Sequence, residues 1–230
     1  LKAGLGKTLM ERIVDSKPEV VTLLDTQYRM NEEIMRFSSS WFYDGKVKAA
    51  PITAHRGILD YDTPIEWVDD DANDDETVGE TFVGETFGRI NKVEARQVME
   101  LLQSYFEKIG KQRILDESID VGIISPYRAQ VQYLRHLIKK ETFFKPFRHL
   151  LSVNTVDGFQ GQERDVIIVS LVRSNNDGQI GFLRDLRRMN VAMTRARSKL
   201  IIIGDHETLA HHEFYKKLYE YIKKHKTDNF

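Results

Sequence analysis

Cysteine is absent from this chain of 230 residues, which excludes disulfide frameworks and thiolate metal sites and is compatible with an intracellular setting. No stretch of roughly eighteen apolar residues occurs, so nothing reads as a membrane-spanning helix, and the start of the sequence lacks the long apolar core of a secretory signal. Internal repeats are missing too. Net charge is nearly missing, at -1, but it is unevenly spread. Residues 1–120 hold 15 Lys and Arg against 24 Asp and Glu, whereas residues 121–230 hold 19 against 11. A basic half is the electrostatic footprint of a protein that handles polyanions, although Lys216-Lys217 and Lys223-Lys224 read as an ordinary solvated helix face.

What is present is an alternation of strand and helix patterns. Apolar runs at 20–24, 65–68, 121–125, 151–156, 166–172 and 200–204 read as short strands. Helical spacing marks 31–42, 91–109, 128–140, 184–196 and 207–225. Such alternation predicts an α/β domain with a mainly parallel sheet flanked by helices. The acidic run Asp69 to Glu76 and the Gly/Thr-rich residues up to Gly88 oppose burial and predict a surface loop; an EF-hand would need a Gly and a terminal Glu at offsets that the run lacks.

Four segments carry chemical information. Gln27-Tyr28-Arg29-Met30 sets an aromatic ring beside a guanidinium just after the first expected strand, a pairing able to stack on a base and reach phosphate oxygens, but on these four residues alone the stronger reading is a Tyr packed under the next helix and an Arg paired with Glu32 or Glu33. Asn154-Thr155-Val156-Asp157-Gly158-Phe159-Gln160-Gly161-Gln162-Glu163 places two glycines and a Gln/Glu cluster in a loop between strands, where backbone approaches a ligand and side chains bond sugar hydroxyls. Thr194-Arg195-Ala196-Arg197 sets two arginines where a helix gives way to a strand; strand ends of open α/β sheets gather phosphate ligands, and a helix C-terminus also favours cations. Gly4-Leu5-Gly6-Lys7-Thr8 is a false phosphate loop: the Gly required five residues before Gly-Lys-Thr is replaced by Leu1.

Taken in order, these segments resemble the second RecA-like domain of a superfamily 1 helicase, in the subgroup of the nonsense-mediated-decay helicase, senataxin and the immunoglobulin mu-binding helicase. Ile124-Ser125-Pro126-Tyr127-Arg128-Ala129-Gln130 completes the set, and Leu9-Met10-Glu11-Arg12 and Asn91-Lys92-Val93-Glu94-Ala95 fit the same spacing. The resemblance implies a RecA-like, P-loop-NTPase-like fold without its own Walker A, with residues 1–18 ending a preceding domain or linker and 19–230 forming the domain, acidic surface loop at about 69–88 included. It implies ATP in a cleft against the N-terminal RecA-like domain of the same protein, which would bring the Walker A lysine and the Mg ligands. By position, Tyr28 would stack on or pack near the adenine, Gln27 would belong to the nucleotide-binding set, Arg29 and Arg195 would contact the γ-phosphate, and Glu163 would bond the ribose, with Gly161 allowing close approach; Arg197 would be structural or a cleft ion-pair partner. Single-stranded DNA or RNA would run over Pro126, Tyr127, Gln130, Asn154 and Thr155. No metal ligand is assigned to this chain and no membrane contact is expected; the setting would be cytoplasmic, or nuclear in a eukaryotic cell. The chain alone would hydrolyse little ATP. An adaptor of the same fold without catalysis is the alternative, disfavoured because it has no need of Tyr28, Arg29, Glu163 and Arg195 together, and a small kinase using Lys7 is disfavoured by Leu1.

Overall fold

The computed structural model describes residues 9–69, 79–84 and 88–227. Helix α1 (Leu9–Ser16) leads to strand β1 (Thr26–Gln27), helix α2 (Glu32–Tyr43), strand β2 (Lys48–Ala49) and helix α3 (Pro51–Ala54). Strands β3 (Ile65–Val68), β4 (Thr81–Val83) and β5 (Gly88–Ile90) follow, then helices α4 (Lys92–Ile109) and α5 (Lys111–Asp116). The rest of the chain alternates: β6 (Val121–Ile124), α6 (Arg128–Lys140), β7 (Leu151–Asn154), β8 (Arg164–Ser170), α7 (Leu186–Met193), β9 (Ala196–Ile203), α8 (His206–Leu209) and α9 (Glu213–Thr227).

Five strands form one parallel sheet in the order β3-β9-β8-β6-β7, the mainly parallel α/β architecture expected of a RecA-like domain. Alternation along the strands decides the layers, because successive side chains leave opposite faces. Ile167, Val169, Leu200 and Ile202 pack under α2, α7 and α9, against Ile34, Met193 and Leu218. Val166, Ile168, Ile201 and Ile203 face the other way, against Val98 and Phe106 of α4 and Leu134 of α6. Both faces are covered, which is why β6 and most of β8 read as unbroken apolar runs.

Several expected boundaries move. Residues 20–24 do not form the buried strand: Val20 closes a single 3-10 turn begun by Pro18, and Leu24 is 83% exposed. The ladder forms downstream instead, where Lys48 N–H donates to Asp25 O and Ala50 N–H to Gln27 O, in a two-stranded β1-β2 sheet apart from the main one. An apolar run becomes a strand only where it finds a partner edge. Within the expected acidic loop, 70–78 and 85–87 lie outside the described residues, but β4 and β5 pair as an antiparallel hairpin. Glu80 fastens that hairpin by ion pairs to Arg89 and, at 2.5 Å, to the buried Arg173. The helix expected at 184–196 ends at Met193, because β9 starts its ladder early, Ala196 opposite Arg164, which puts Arg197 inside a strand. The last helix is split. Asp205 caps α8 by accepting from Thr208 N–H, and α9 restarts with Phe214, Tyr215, Leu218 and Ile222 turned to the core.

Candidate active site

The Gln27–Met30 turn is built by its own first side chain. Gln27 Oε1 accepts from the N–H groups of Arg29 and Met30 at 2.8 Å each, and its Nε2 donates to Met30 O at 2.8 Å. The Gln27 amide, expected at the nucleotide, is engaged by the turn that it staples. The turn is docked on the core by Asn31 N–H donating to Arg197 O, and Asn31 also caps α2 at Glu33 N–H. Tyr28 is left 69% exposed, and Arg29 is directed at Glu163.

Arg29, Glu163 and Arg195, distant in sequence, meet here. Arg29 Nε donates to Glu163 Oε2 at 2.5 Å and its Nη1 to Thr194 O at 3.1 Å. Arg195 is oriented by three hydrogen bonds: Nε to Val191 O (3.0 Å), Nη1 to Gln162 O (3.2 Å) and Nη2 to Thr194 Oγ1 (3.3 Å). Gly161, in the same loop, has φ +80°, a conformation that favours glycine, and a side chain added there would meet nothing within 4 Å.

Two further groups of residues were missed by motif reading. Arg56 Nη1 donates to Arg29 O at 2.9 Å, adding another guanidinium. Asp120 and Asp165 hold Arg197 at 3.0 and 3.2 Å, while Arg197 stands 3.8 Å from Glu163. These residues are solitary in sequence, so no local pattern announces them. Arg197 is thus served mainly by Asp120 and Asp165, and Glu163 has its hydrogen bond from Arg29, with the Arg197 and Arg56 charges farther off. Burial, and next the Arg29 charge beside it, pull the Arg195 guanidinium down from its ordinary range, with Glu163 opposing. Such a site has cationic charge to spare for an anion.

The cluster lies at the amino ends of the strands. Glu163 precedes β8 and Arg195 precedes β9. The strand-end rule does not bear on these arginines, because it concerns carboxyl ends. Pro126, Asn154 and Thr155 occupy the carboxyl ends of β6 and β7, whose register sets Ile124 beside Asn154. Pro126 and Thr155 line a small cavity of about 30 Å³. Loop 155–163 alone runs from the carboxyl end of β7 to the amino end of β8, touching both places.

Two expected strand contacts turn inward. Gln130 is 0% exposed; its Oε1 accepts from Asn91 N–H at 3.0 Å, and its Nε2 donates to Asn91 O (2.9 Å) and Ser170 Oγ (3.1 Å). It ties α6 to the start of α4. Tyr127 is buried, with its hydroxyl 3.5 Å from Arg173 Nη1. Both side chains lie below the surface, so neither reaches out to a strand as it stands. Among the described residues no group of three or more His, Asp or Glu is placed to hold a metal ion, and no helix is long and apolar enough to cross a membrane.

Glu163 gives the site a measurable signature. The Arg29 hydrogen bond first, then the charges of Arg29, Arg197 and Arg56, outweigh burial and hold its carboxyl below the ordinary 4.5. A depressed folded value adds stability that is present above about pH 4.5 and is lost as pH falls through the folded value. Carboxyl carbon NMR is expected to place the Glu163 midpoint below 4.5, and Arg29→Ala to move it upward. A midpoint unmoved by that substitution contradicts the pairing.

Fold and site together define a RecA-like α/β domain that presents arginines; the Gly4-Leu5-Gly6-Lys7-Thr8 segment lies outside the described residues. The chain belongs to the AAA domain family, which matches residues 5–207. It is 37% identical to an uncharacterized ATP-dependent helicase of Methanocaldococcus jannaschii, across 95% of this chain and 32% of that protein. It is 38% identical to the DNA polymerase alpha-associated DNA helicase A of Saccharomyces cerevisiae, across 90% of this chain and 31% of that protein. The regulator of nonsense transcripts 1 homolog of Neurospora crassa is 34% identical, across 96% of this chain and 20% of its own length. The chain therefore spans a third or less of these relatives, whose names agree with the superfamily 1 subgroup that the motifs resemble.

Proposed function

We propose that this chain is the C-terminal motor domain of an ATP-dependent nucleic-acid helicase, with 1–18 ending a preceding domain or linker and 19–230 forming the second RecA-like domain. The carrying observation is that Arg29 pairs with Glu163 while Arg195, held by Val191 O, Gln162 O and Thr194 Oγ1, stands close enough to feel both charges at the amino ends of β8 and β9. Forked, permanently charged donors held by backbone carbonyls suit the oxygens of a triphosphate. When bound, ATP with Mg supplies the phosphoryl group and its counter-charge, and the ligands of the metal belong to the N-terminal RecA-like domain. On this side of the cleft Tyr28 offers an exposed ring to the base and Glu163 a carboxylate to the ribose. Arg29 and Arg195 hold positive charge where negative charge builds on the transferring phosphoryl group. Single-stranded DNA or RNA lies over Pro126, Asn154 and Thr155, and loop 155–163 links that end of the sheet to the arginines, so that contact at one is felt at the other.

A half-site of this kind needs the other half. The isolated chain is expected to show no ATP turnover above background, and turnover stimulated by single strands is expected when it is joined to the nucleotide-holding domain. Robust turnover by the isolated chain, unaffected by Arg195→Ala, would overturn the reading.

A further inference from the structure

Phe182 projects from a turn whose apolar neighbours point inward. It is 65% exposed, while Ile180 and Leu183 are buried. The turn is pinned. Gly181 has φ +54°, and a side chain there would come within 2.4 Å of Arg173 Nη1 and 3.0 Å of the Tyr127 hydroxyl. Leu183 N–H donates to Ile180 O, and Leu183 O accepts from the Tyr215 hydroxyl at 2.8 Å. The ring also leans on Tyr127, 5.6 Å between centroids and tilted by 50°. Phe182 is therefore held outward before anything binds, and little ordering remains to oppose binding.

A single exposed apolar side chain is ordinary on a protein surface. This one has company that selects a ligand. It shares the small cavity at the carboxyl ends of the strands with Pro126, Thr155 and Arg188. Arg188 is paired with Asp157 at 3.2 Å, and Arg187 stands 3.7 Å from Asp185, whereas Arg184 at the end of the same turn is exposed. A rigid aromatic face with an exposed arginine two residues along the same turn offers a base a stacking partner and its phosphate a counter-charge.

We propose that Phe182 stacks on one base of a single-stranded nucleic acid passing over Pro126 and Thr155, with Arg184 at the adjoining phosphate. The proposal rests on the nucleic-acid reading above and changes the part played by Tyr127, which supports the stacking ring from below instead of touching the strand.

The test compares two labelled strands of equal length, one of thymidines and one of stable abasic sites, by fluorescence anisotropy at low salt. Phe182→Ala is expected to weaken binding of the thymidine strand roughly tenfold and to leave the abasic strand within about twofold. Phe182→Trp is expected to retain thymidine binding. Unchanged thymidine affinity in Phe182→Ala overturns the stacking role, as does an equal loss for both strands. If the unaltered chain binds neither strand, the nucleic-acid reading falls and the proposal with it, whereas normal binding that ignores Phe182 removes only the proposal.

Discussion

Arg195→Ala is expected to lower ATP turnover by the complete motor roughly 10²- to 10³-fold, with KM within a few-fold of the unaltered value. Three of the five N–H groups of this guanidinium are used to orient it, on Val191 O, Gln162 O and Thr194 Oγ1. The other two are available to a ligand, and they sit beside a second guanidinium that already lowers the proton affinity of the first. Repulsion of that kind is relieved most when negative charge is greatest, so the interaction favours the transition state over the bound substrate. Arg195→Lys is expected to recover little, because a single ammonium cannot keep the three orienting bonds and still reach outward. Since Arg195 is only half-buried, melting should move by no more than about 2 °C, which separates a catalytic loss from unfolding. Undiminished turnover in a well-folded Arg195→Ala protein would remove Arg195 from the site.

The largest expected loss of stability lies elsewhere, at Lys199. Its ammonium is 2% exposed in the middle of β9 and lies 2.6 Å from Asp62 Oδ1, 2.6 Å from Thr63 O and 2.5 Å from Glu66 Oε1. Tyr105 closes the group by donating to Asp62 Oδ2 at 2.7 Å, and burial together with the Asp62 charge pushes its hydroxyl well above the ordinary range. Lys199→Met removes the ammonium that both Asp62 and Glu66 contact. The cost is roughly 3 kcal/mol, at the lower end for a broken buried pair because both carboxylates keep some contact with water, and it lowers the melting temperature by about 10 °C. Adding Asp62→Asn and Glu66→Gln to Lys199→Met should restore most of that loss, since the penalty comes from removing the ammonium opposite those two charges. Urea unfolding of the single and triple variants decides it: equal stability of Lys199→Met and the unaltered protein would show that the group contributes nothing net.

Lys199 also illustrates how far local pattern reaches. A lysine ahead of Leu200-Ile201-Ile202-Ile203 reads as the polar edge of a strand, and the carboxylates that let it be buried come from 133 and 137 positions earlier. Helix α6 was legible to the residue, because Val131, Leu134 and Ile138 repeat at helical spacing and Pro126 ends the strand before it. Strand 20–24 was misread by the same logic, since hydrophobicity cannot report whether a partner edge is available. At the candidate site, motifs named Arg29, Glu163 and Arg195, and the structure brings those three together. The motifs equally named Gln27, Tyr127 and Gln130, and nothing in a short motif distinguishes a side chain that meets a ligand from one that holds the backbone in place to meet it.

By itself the sequence determined the alternation of elements, the two-faced sheet and the family, because periodicity and short motifs are properties of neighbouring residues. Only the tertiary structure decided that Arg29 meets Glu163, that Gln130 is spent on Asn91 and Ser170, and that Phe182 faces outward. Those outcomes turn on which distant groups occupy the same space. Arg29 and Glu163 are 134 positions apart, and their 2.5 Å contact exists only once the sheet has brought the start of β8 beside the Gln27–Met30 turn.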